Sequence, residues 1–221
     1  MSSLVSVTKE DWTFRDISTK EYTHGFHLYP ARMHPEIAKR LIQKYIRKSS
    51  DIVFDPFMGS GGVLVESMLH GNNSVGIDLN PFAVLLTTVK TTPLDAAKLE
   101  TTFNQIILDS KKDKENKIEY DNAPNFLPTK QKEKTLKFWY QDDALRDLQI
   151  LKNHVFLTKD KKTRDFFKIC FSLATRKVSF QKNSIYKIYR MKPDKRELFK
   201  PNVFDEFSKI CRNNIKNMNE F

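Results

Sequence analysis

The sequence predicts an α/β fold, with a parallel sheet built from a βαβα unit and a basic helical part after it. Three observations carry this. Between residues 51 and 90, two short apolar runs alternate with two helical patterns, and the first run feeds a glycine cluster. Beyond Pro93 the apolar residues recur at helical spacing. The net charge of +11 lies wholly in the second part: residues 1–100 carry 11 Lys/Arg and 11 Asp/Glu, whereas residues 101–221 carry 27 and 16.

The elements follow in order. In PEIAKRLIQKYIRK (35–48), Ile37, Ala38, Leu41, Ile42, Tyr45 and Ile46 share one helical face, with Pro35 suited to the first turn and Arg47 and Lys48 to the last. DIVFDPF (51–57) reads as a short buried strand and GGVLVESMLHG (61–71) as a helix closed by Gly71. NSVGIDL (73–79) is a second strand, and PFAVLLTTVK (81–90) a helix opened by Pro81. A strand, glycine turn, helix, strand and helix in that order imply parallel pairing through a right-handed crossover. Further helices are expected over about 94–112, 142–153, 161–178 and 201–217. The last places Val203, Phe204, Phe207, Ile210, Cys211 and Ile215 on one face. The stretch 111–134, with its lysines, asparagines and two prolines, reads as a loop or linker. The organisation expected is therefore a ligand-binding α/β part (1–110), a linker (111–134) and a basic helical part (135–221).

Composition narrows the class. No apolar run reaches the ~18 residues of a membrane span. The start of the chain, MSSLVSVTKEDW, lacks the basic and apolar regions of a signal peptide. Cys170 and Cys211 lie inside amphipathic patterns, as core thiols do. A cytoplasmic setting without membrane contact is expected. A neutral half beside a basic half fits a ligand-binding part joined to a part facing a polyanion, and fits equally a lysine-rich solvated surface.

The stretch DPFMGSGGVLVE (55–66) carries the chemistry. Gly59, Gly61 and Gly62 follow a strand and open a helix, where glycine lets a ligand approach the backbone and the helix offers free N–H groups. No Lys-Ser/Thr follows, so this is not a phosphate-cradling P-loop, and G-x-G-x-x-G is absent. Asp55 ends the first strand and Asp78 the second, where an acid is placed to take ribose hydroxyls. A plain tight turn beside a surface aspartate is the competing reading of these residues. His24 and His27 have no cysteine or carboxylate at ligand spacing and are expected to be structural rather than metal ligands. Arg32 is either a carboxylate-binding group or a surface arginine.

DPFMGSGG resembles the S-adenosylmethionine loop of the amino-group DNA methyltransferases, which make N4-methylcytosine or N6-methyladenine. GIDLNPFAV (76–84) is similar to their next motif, and THGFHLYPARMHPEIAKRLI (23–42) to the segment preceding the loop. The resemblance covers about residues 10–93, and 164–191 is similar to a region of some cytosine-N4 enzymes. It implies a partial Rossmann-like methyltransferase fold that binds S-adenosyl-L-methionine. Asp55, Pro56, Phe57, Gly59, Ser60 and Gly61 would line the methionine and adenosine side. Asp78 and Leu79 would lie at the ribose, Asn80 and Pro81 would shape the adenine pocket, and Tyr29, Pro30, Ala31 and Arg32 would sit near the methionine end. Gly62 departs from the threonine of many relatives.

The resemblance also implies a catalytic tetrapeptide, Asp/Asn/Ser-Pro-Pro-aromatic, which holds the target amine of a flipped base. The chain has no Pro-Pro; NAPN (122–125) and KPNV (200–203) are the nearest and neither fits. In relatives that place the cofactor motifs first, the tetrapeptide follows the region similar to 164–191, about where Phe221 falls. No catalytic residue is therefore expected in this chain. The expectation is one half of a split enzyme, with a second methyltransferase subunit completing the sheet and supplying the tetrapeptide; a truncated or degenerate fragment is the competing reading. Double-stranded DNA would meet Arg164, Arg176, Lys177, Lys182, Lys187, Arg190 and Lys192. An RNA guanine-N2 methyltransferase half, or a non-catalytic nucleic-acid-binding subunit with a vestigial pocket, are the alternatives.

Overall fold

The structure, a computed structural model, describes residues 12–120, 135–182 and 189–221. A short 3₁₀ turn, η1 (Tyr22–Gly25), precedes helix α1 (Pro35–Tyr45). Pro35 stands in the first turn of α1, and the His34 ring accepts the Glu36 N–H at 3.2 Å, satisfying one of the free donors there. Strand β1 (Ile52–Asp55) leads through the glycine loop into helix α2 (Gly62–Leu69) and then strand β2 (Asn73–Gly76). The strands pair in parallel, Ile52 opposite Asn73 and Asp55 opposite Gly76. Helix α3 (Pro81–Lys90) starts at Asn80, whose Oδ1 accepts the Phe82 N–H at 3.0 Å.

Helices build the rest: α4 (Ala96–Glu115), α5 (Asp142–Leu157), α6 (Lys161–Lys177), the short α7 (Pro193–Leu198) and α8 (Val203–Glu220). Asp95, Asp160 and Asn202 cap α4, α6 and α8 by accepting first-turn N–H groups, as short polar side chains do at this position. One apolar cluster holds these helices together. Leu86 and Val89 of α3 and Phe26 meet Phe103 of α4, Leu151 of α5, Phe166 and Phe167 of α6 and Phe207 of α8. The Phe26 and Phe166 rings sit edge to face, 5.7 Å apart. The α/β part and the helical part therefore share a core, with α3 as the element common to both.

The sheet is treated differently on its two faces. Helix α2 packs on one face, where an added Cβ at Gly76 would meet Leu64 at 2.9 Å. Residues one step along the pleat point the other way, and there Ile52, Phe54, Val75 and Ile77 are all exposed.

Several boundaries differ from the sequence expectation. Helix α1 stops at Tyr45 because Asp51 Oδ2 accepts the Arg47 and Lys48 N–H groups at 2.9 and 3.0 Å, drawing these residues into a turn. Strand β1 ends at Asp55 rather than 57: Pro56 has no N–H, and Phe57 N donates to Asp55 Oδ1 at 3.1 Å. Strand β2 ends at Gly76 rather than 79, since Asp78 turns its carboxylate back on the backbone. Helix α4 runs to Glu115, into the stretch read as linker; Lys114 pairs with Asp147 at 2.7 Å and Asp113 with His154 at 2.6 Å, tying that last turn to α5. Cys170 and Cys211 are buried free thiols. Among the described residues no helix is long and apolar enough to cross a membrane, and no group of three His, Cys, Asp or Glu could hold a metal ion.

Candidate cofactor site

The C-terminal ends of β1 and β2 bring three separate stretches of sequence together. The glycine loop leaves β1 and turns through Gly59 (φ 50°) and Gly61 (φ 71°), backbone conformations costly for other residues. Thr87 of α3 occupies the space beside Gly61, where a Cβ would lie 2.5 Å from its side chain. Thr87 Oγ1 also donates to Gly59 O at 3.2 Å. Asp78, just past β2, accepts the Gly59 N–H on Oδ2 at 2.9 Å and the Asn80 N–H on Oδ1 at 2.8 Å. The acid at the second strand is thereby fixed against the loop of the first. Each carboxylate oxygen keeps a further lone pair for an outside donor.

The upstream stretch closes the third side. Asn80 Nδ2 lies 3.5 Å from Tyr29 Oη, and the Tyr29 ring stands against Gly59. Ala31 follows at φ 51°, strained for a residue with a Cβ, and Arg32 Nη1 donates to His24 O at 3.0 Å. A cavity of about 390 Å³ lies between the upstream stretch and the glycine loop, lined by Tyr29, Arg32, Asp55, Phe57, Gly59 and Ser60 among others, with Asp78 and Asn80 outside its lining. Phe57 is 87% exposed and Leu79, next to Asp78 in sequence, is fully exposed, two apolar surfaces of the kind that stack on a base. Gly59, Ser60, Gly61, Asp78, Leu79, Asn80 and the Tyr29–Arg32 stretch thus meet in one region. Their donor set fits a nucleoside with a polar tail: an acid for hydroxyls, loop N–H groups, aromatic faces and an arginine.

Beneath the loop lies a charged group that sequence reading missed. Lys90, the last residue of α3, is 1% exposed and its Nζ donates to Ser60 O at 2.6 Å. Burial, followed by the charge of Arg32, pulls its pKa down to about 7 against the opposing pull of Glu66. Glu66 of α2 is buried and accepts from His24 Nε2 at 2.7 Å. Burial lowers the pKa of His24, opposed by its bond to Glu66. Thr23 Oγ1 donates to the carbonyl of Lys90 at 3.0 Å, closing the circuit from η1 to α3. A signal existed in the sequence: Glu66 is the one charged residue in GVLVESML, and a lone acid in an apolar helix needs a partner.

The basic candidates gather less closely. Arg164 opens α6 and donates to Thr158 O at 3.0 Å, whereas Arg176 and Lys177 close the same helix, roughly 18 Å away at 1.5 Å per residue. Lys182 and Lys192 are exposed, and Lys187 lies outside the described residues. Arg190 stacks over Phe138 at 3.8 Å, and Arg196, absent from the sequence candidates, lies over Phe180 at 5.8 Å.

Known proteins share sequence with this chain. Residues 4–90 match the model of a DNA methylase family. The chain is 36% identical over 214 residues to the type II methyltransferase M.MvaI of Kocuria varians, covering 93% of this chain and 45% of that protein. It is 40% identical over 106 residues to the type II methyltransferase M.MjaII of Methanocaldococcus jannaschii, covering 46% of this chain and 19% of that one. A shorter match, 38% over 52 residues, is to a tRNA (guanine(10)-N2)-dimethyltransferase of Methanothermobacter thermautotrophicus, covering 24% of this chain and 16% of that one. No solved structure matches. The chain thus spans less than half the length of the curated relatives it matches. Residues 4–90 are thus similar to a DNA methylase family, and nearly the whole chain is similar to part of a type II methyltransferase.

Proposed function

We propose that this chain is the cofactor-binding part of an S-adenosyl-L-methionine-dependent DNA methyltransferase acting on cytosine N4 or adenine N6. The observation that supports the reading is the meeting of the glycine loop with Asp78, which accepts the Gly59 N–H, and with the Tyr29–Arg32 stretch, which shares a cavity with that loop. Asp78 would hold the ribose, Phe57, Leu79 and Asn80 the base, and the loop and Arg32 the amino-acid end. The cofactor supplies an electrophilic methyl group, and the chain's part is to orient it and keep water away.

The target amine would be held from outside this chain, by a second subunit carrying the Asp/Asn/Ser-Pro-Pro-aromatic tetrapeptide. The exposed sheet face supports this: Ile52, Phe54, Val75 and Ile77 form an apolar surface of the kind that marks an interface. The basic residues Arg176, Lys177, Lys182, Lys187, Arg190 and Lys192 would meet duplex DNA phosphates, with Arg164 at a separate point. RNA guanine-N2 methylation is the second reading, favoured by the short match to the tRNA enzyme.

Methyl transfer from labelled S-adenosylmethionine to duplex DNA tests the proposal, with the chain alone and together with the product of the neighbouring reading frame. Activity in the mixture alone is expected, and Asp78→Ala should abolish both cofactor binding and activity. Transfer to structured RNA but not to DNA would favour the second reading. Neither transfer nor cofactor binding would leave a nucleic-acid-binding module.

A further inference from the structure

We propose that Lys90 and Arg32 form an anion subsite for the carboxylate at the cofactor's amino-acid end, with Lys90 reaching it from beneath the glycine loop. The inference rests on the cofactor reading above and goes beyond it by giving a role to a residue outside all three sequence motifs.

Two cavities meet at the loop. The one of about 390 Å³ holds Tyr29, Phe57 and Gly59 in its wall. The other, of about 320 Å³, is lined by His24, Arg32, His34, Ser60, Gly62 and Lys90 among others, and no acidic residue lines it. Ala31, Arg32, Met33, Ser60 and Gly62 line both. A ligand whose nucleoside end occupies the first cavity can therefore place its other end in the second. The charges there do not balance. Lys90 and Arg32 carry two positive charges, and Glu66 is the acid paired in this group, its oxygen already bonded to the buried His24. A buried ammonium is costly without a counter-charge. One ligand carboxylate supplies it, and the free N–H groups in the first turn of α2 favour the same sign of charge.

The position of Lys90 adds a second consequence. Glu66 of α2, His24 of η1 and Arg32 of the loop after η1 face its ammonium, and His34 lines the same cavity. Its pKa near 7 leaves it readily discharged at neutral pH. A carboxylate bound beside it holds the proton on, so affinity for an anionic ligand falls as pH rises through 7.

The test is calorimetric binding of two probes to the full chain, and to its complex with the second subunit. S-adenosylhomocysteine carries the carboxylate, and 5′-methylthioadenosine lacks the whole amino-acid end. Wild type should prefer the first by about tenfold or more, the scale of a charge-assisted hydrogen bond. Lys90→Met and Arg32→Met should each cut that preference about tenfold while leaving methylthioadenosine affinity within about threefold. The wild-type preference should shrink between pH 6 and 8.5, and that of Lys90→Met should stay flat relative to it; comparing the two proteins cancels the ligand's own titration. Should Lys90→Met fail to fold, Arg32→Met and the wild-type pH series decide. Folded variants that keep the full preference overturn the subsite. Equal wild-type affinity for both probes overturns it and leaves the cofactor reading standing. Binding of neither probe, by chain or complex, overturns both.

Discussion

Phe167 and Phe54 are the same side chain in opposite circumstances. Phe167, in α6, is fully buried and touches Phe166 and Phe207 edge-on and tilted. Phe54, in the first strand, is 58% exposed on a sheet face and borders the cavity at the glycine loop. The helical region has closed its core within this chain, whereas the sheet has closed only the face that meets α2. The difference teaches where the chain is self-sufficient. Its stability resides in the helices, and its site sits at the border of the region left open.

Substitutions can break that comparison. Phe167→Ala should cost about 3–5 kcal/mol in chemical denaturation, through lost transfer energy and a cavity. The matching Phe54→Ser should change stability by no more than about 0.5 kcal/mol. The same change should lower self-association by light scattering and weaken binding of the proposed second subunit. A large loss at Phe54 would show that its face is packed after all.

Gly61→Ala tests the seam between the regions. Its Cβ would fall 2.5 Å from Thr87 at a φ of 71°. The left-handed backbone alone costs about 1–2 kcal/mol. A total loss above about 2 kcal/mol, with cofactor binding gone, is expected. A stable variant that still binds would mean that loop and α3 move apart freely.

The smallest effect belongs to Asp160, which caps α6 in the self-sufficient region. Its bonds to Thr163 hold its pKa down, from 3.8 to about 2. A carboxylate lowered on folding stabilises above its unfolded value and loses that contribution as pH falls. Melting temperatures of wild type and Asp160→Ala should therefore differ at pH 6 and converge between pH 4 and 2. A constant gap would place the effect elsewhere than in the charged cap.

Local signals explain what could be read from the sequence. The strands, the glycine loop and Asp78 announce themselves through alternation, backbone need and spacing. The capping residues Asn80, Asp95 and Asn202 lie just before helices of the right periodicity. Lys90 was illegible because a lysine in a last helical turn ordinarily serves the helix end in water; its burial follows from η1 and α2 arriving over it, a tertiary fact. The same holds for Thr87, whose value lies in its closeness to Gly61. Helix α7 and η1 are too short for periodicity to register. The arrest of α1 at Tyr45 depends on a side chain, Asp51, that sequence pattern assigns to the following strand.

The uncovered sheet face has a consequence for how much of the protein a cell can hold. A copy whose sheet face stays open presents an apolar strand pair to every chaperone and protease, and to other such copies. Such copies are open to removal or loss to aggregates, so the steady-state amount of protein depends on how many have that face covered. Under the proposed two-subunit reading, matched synthesis of the two polypeptides would limit that loss.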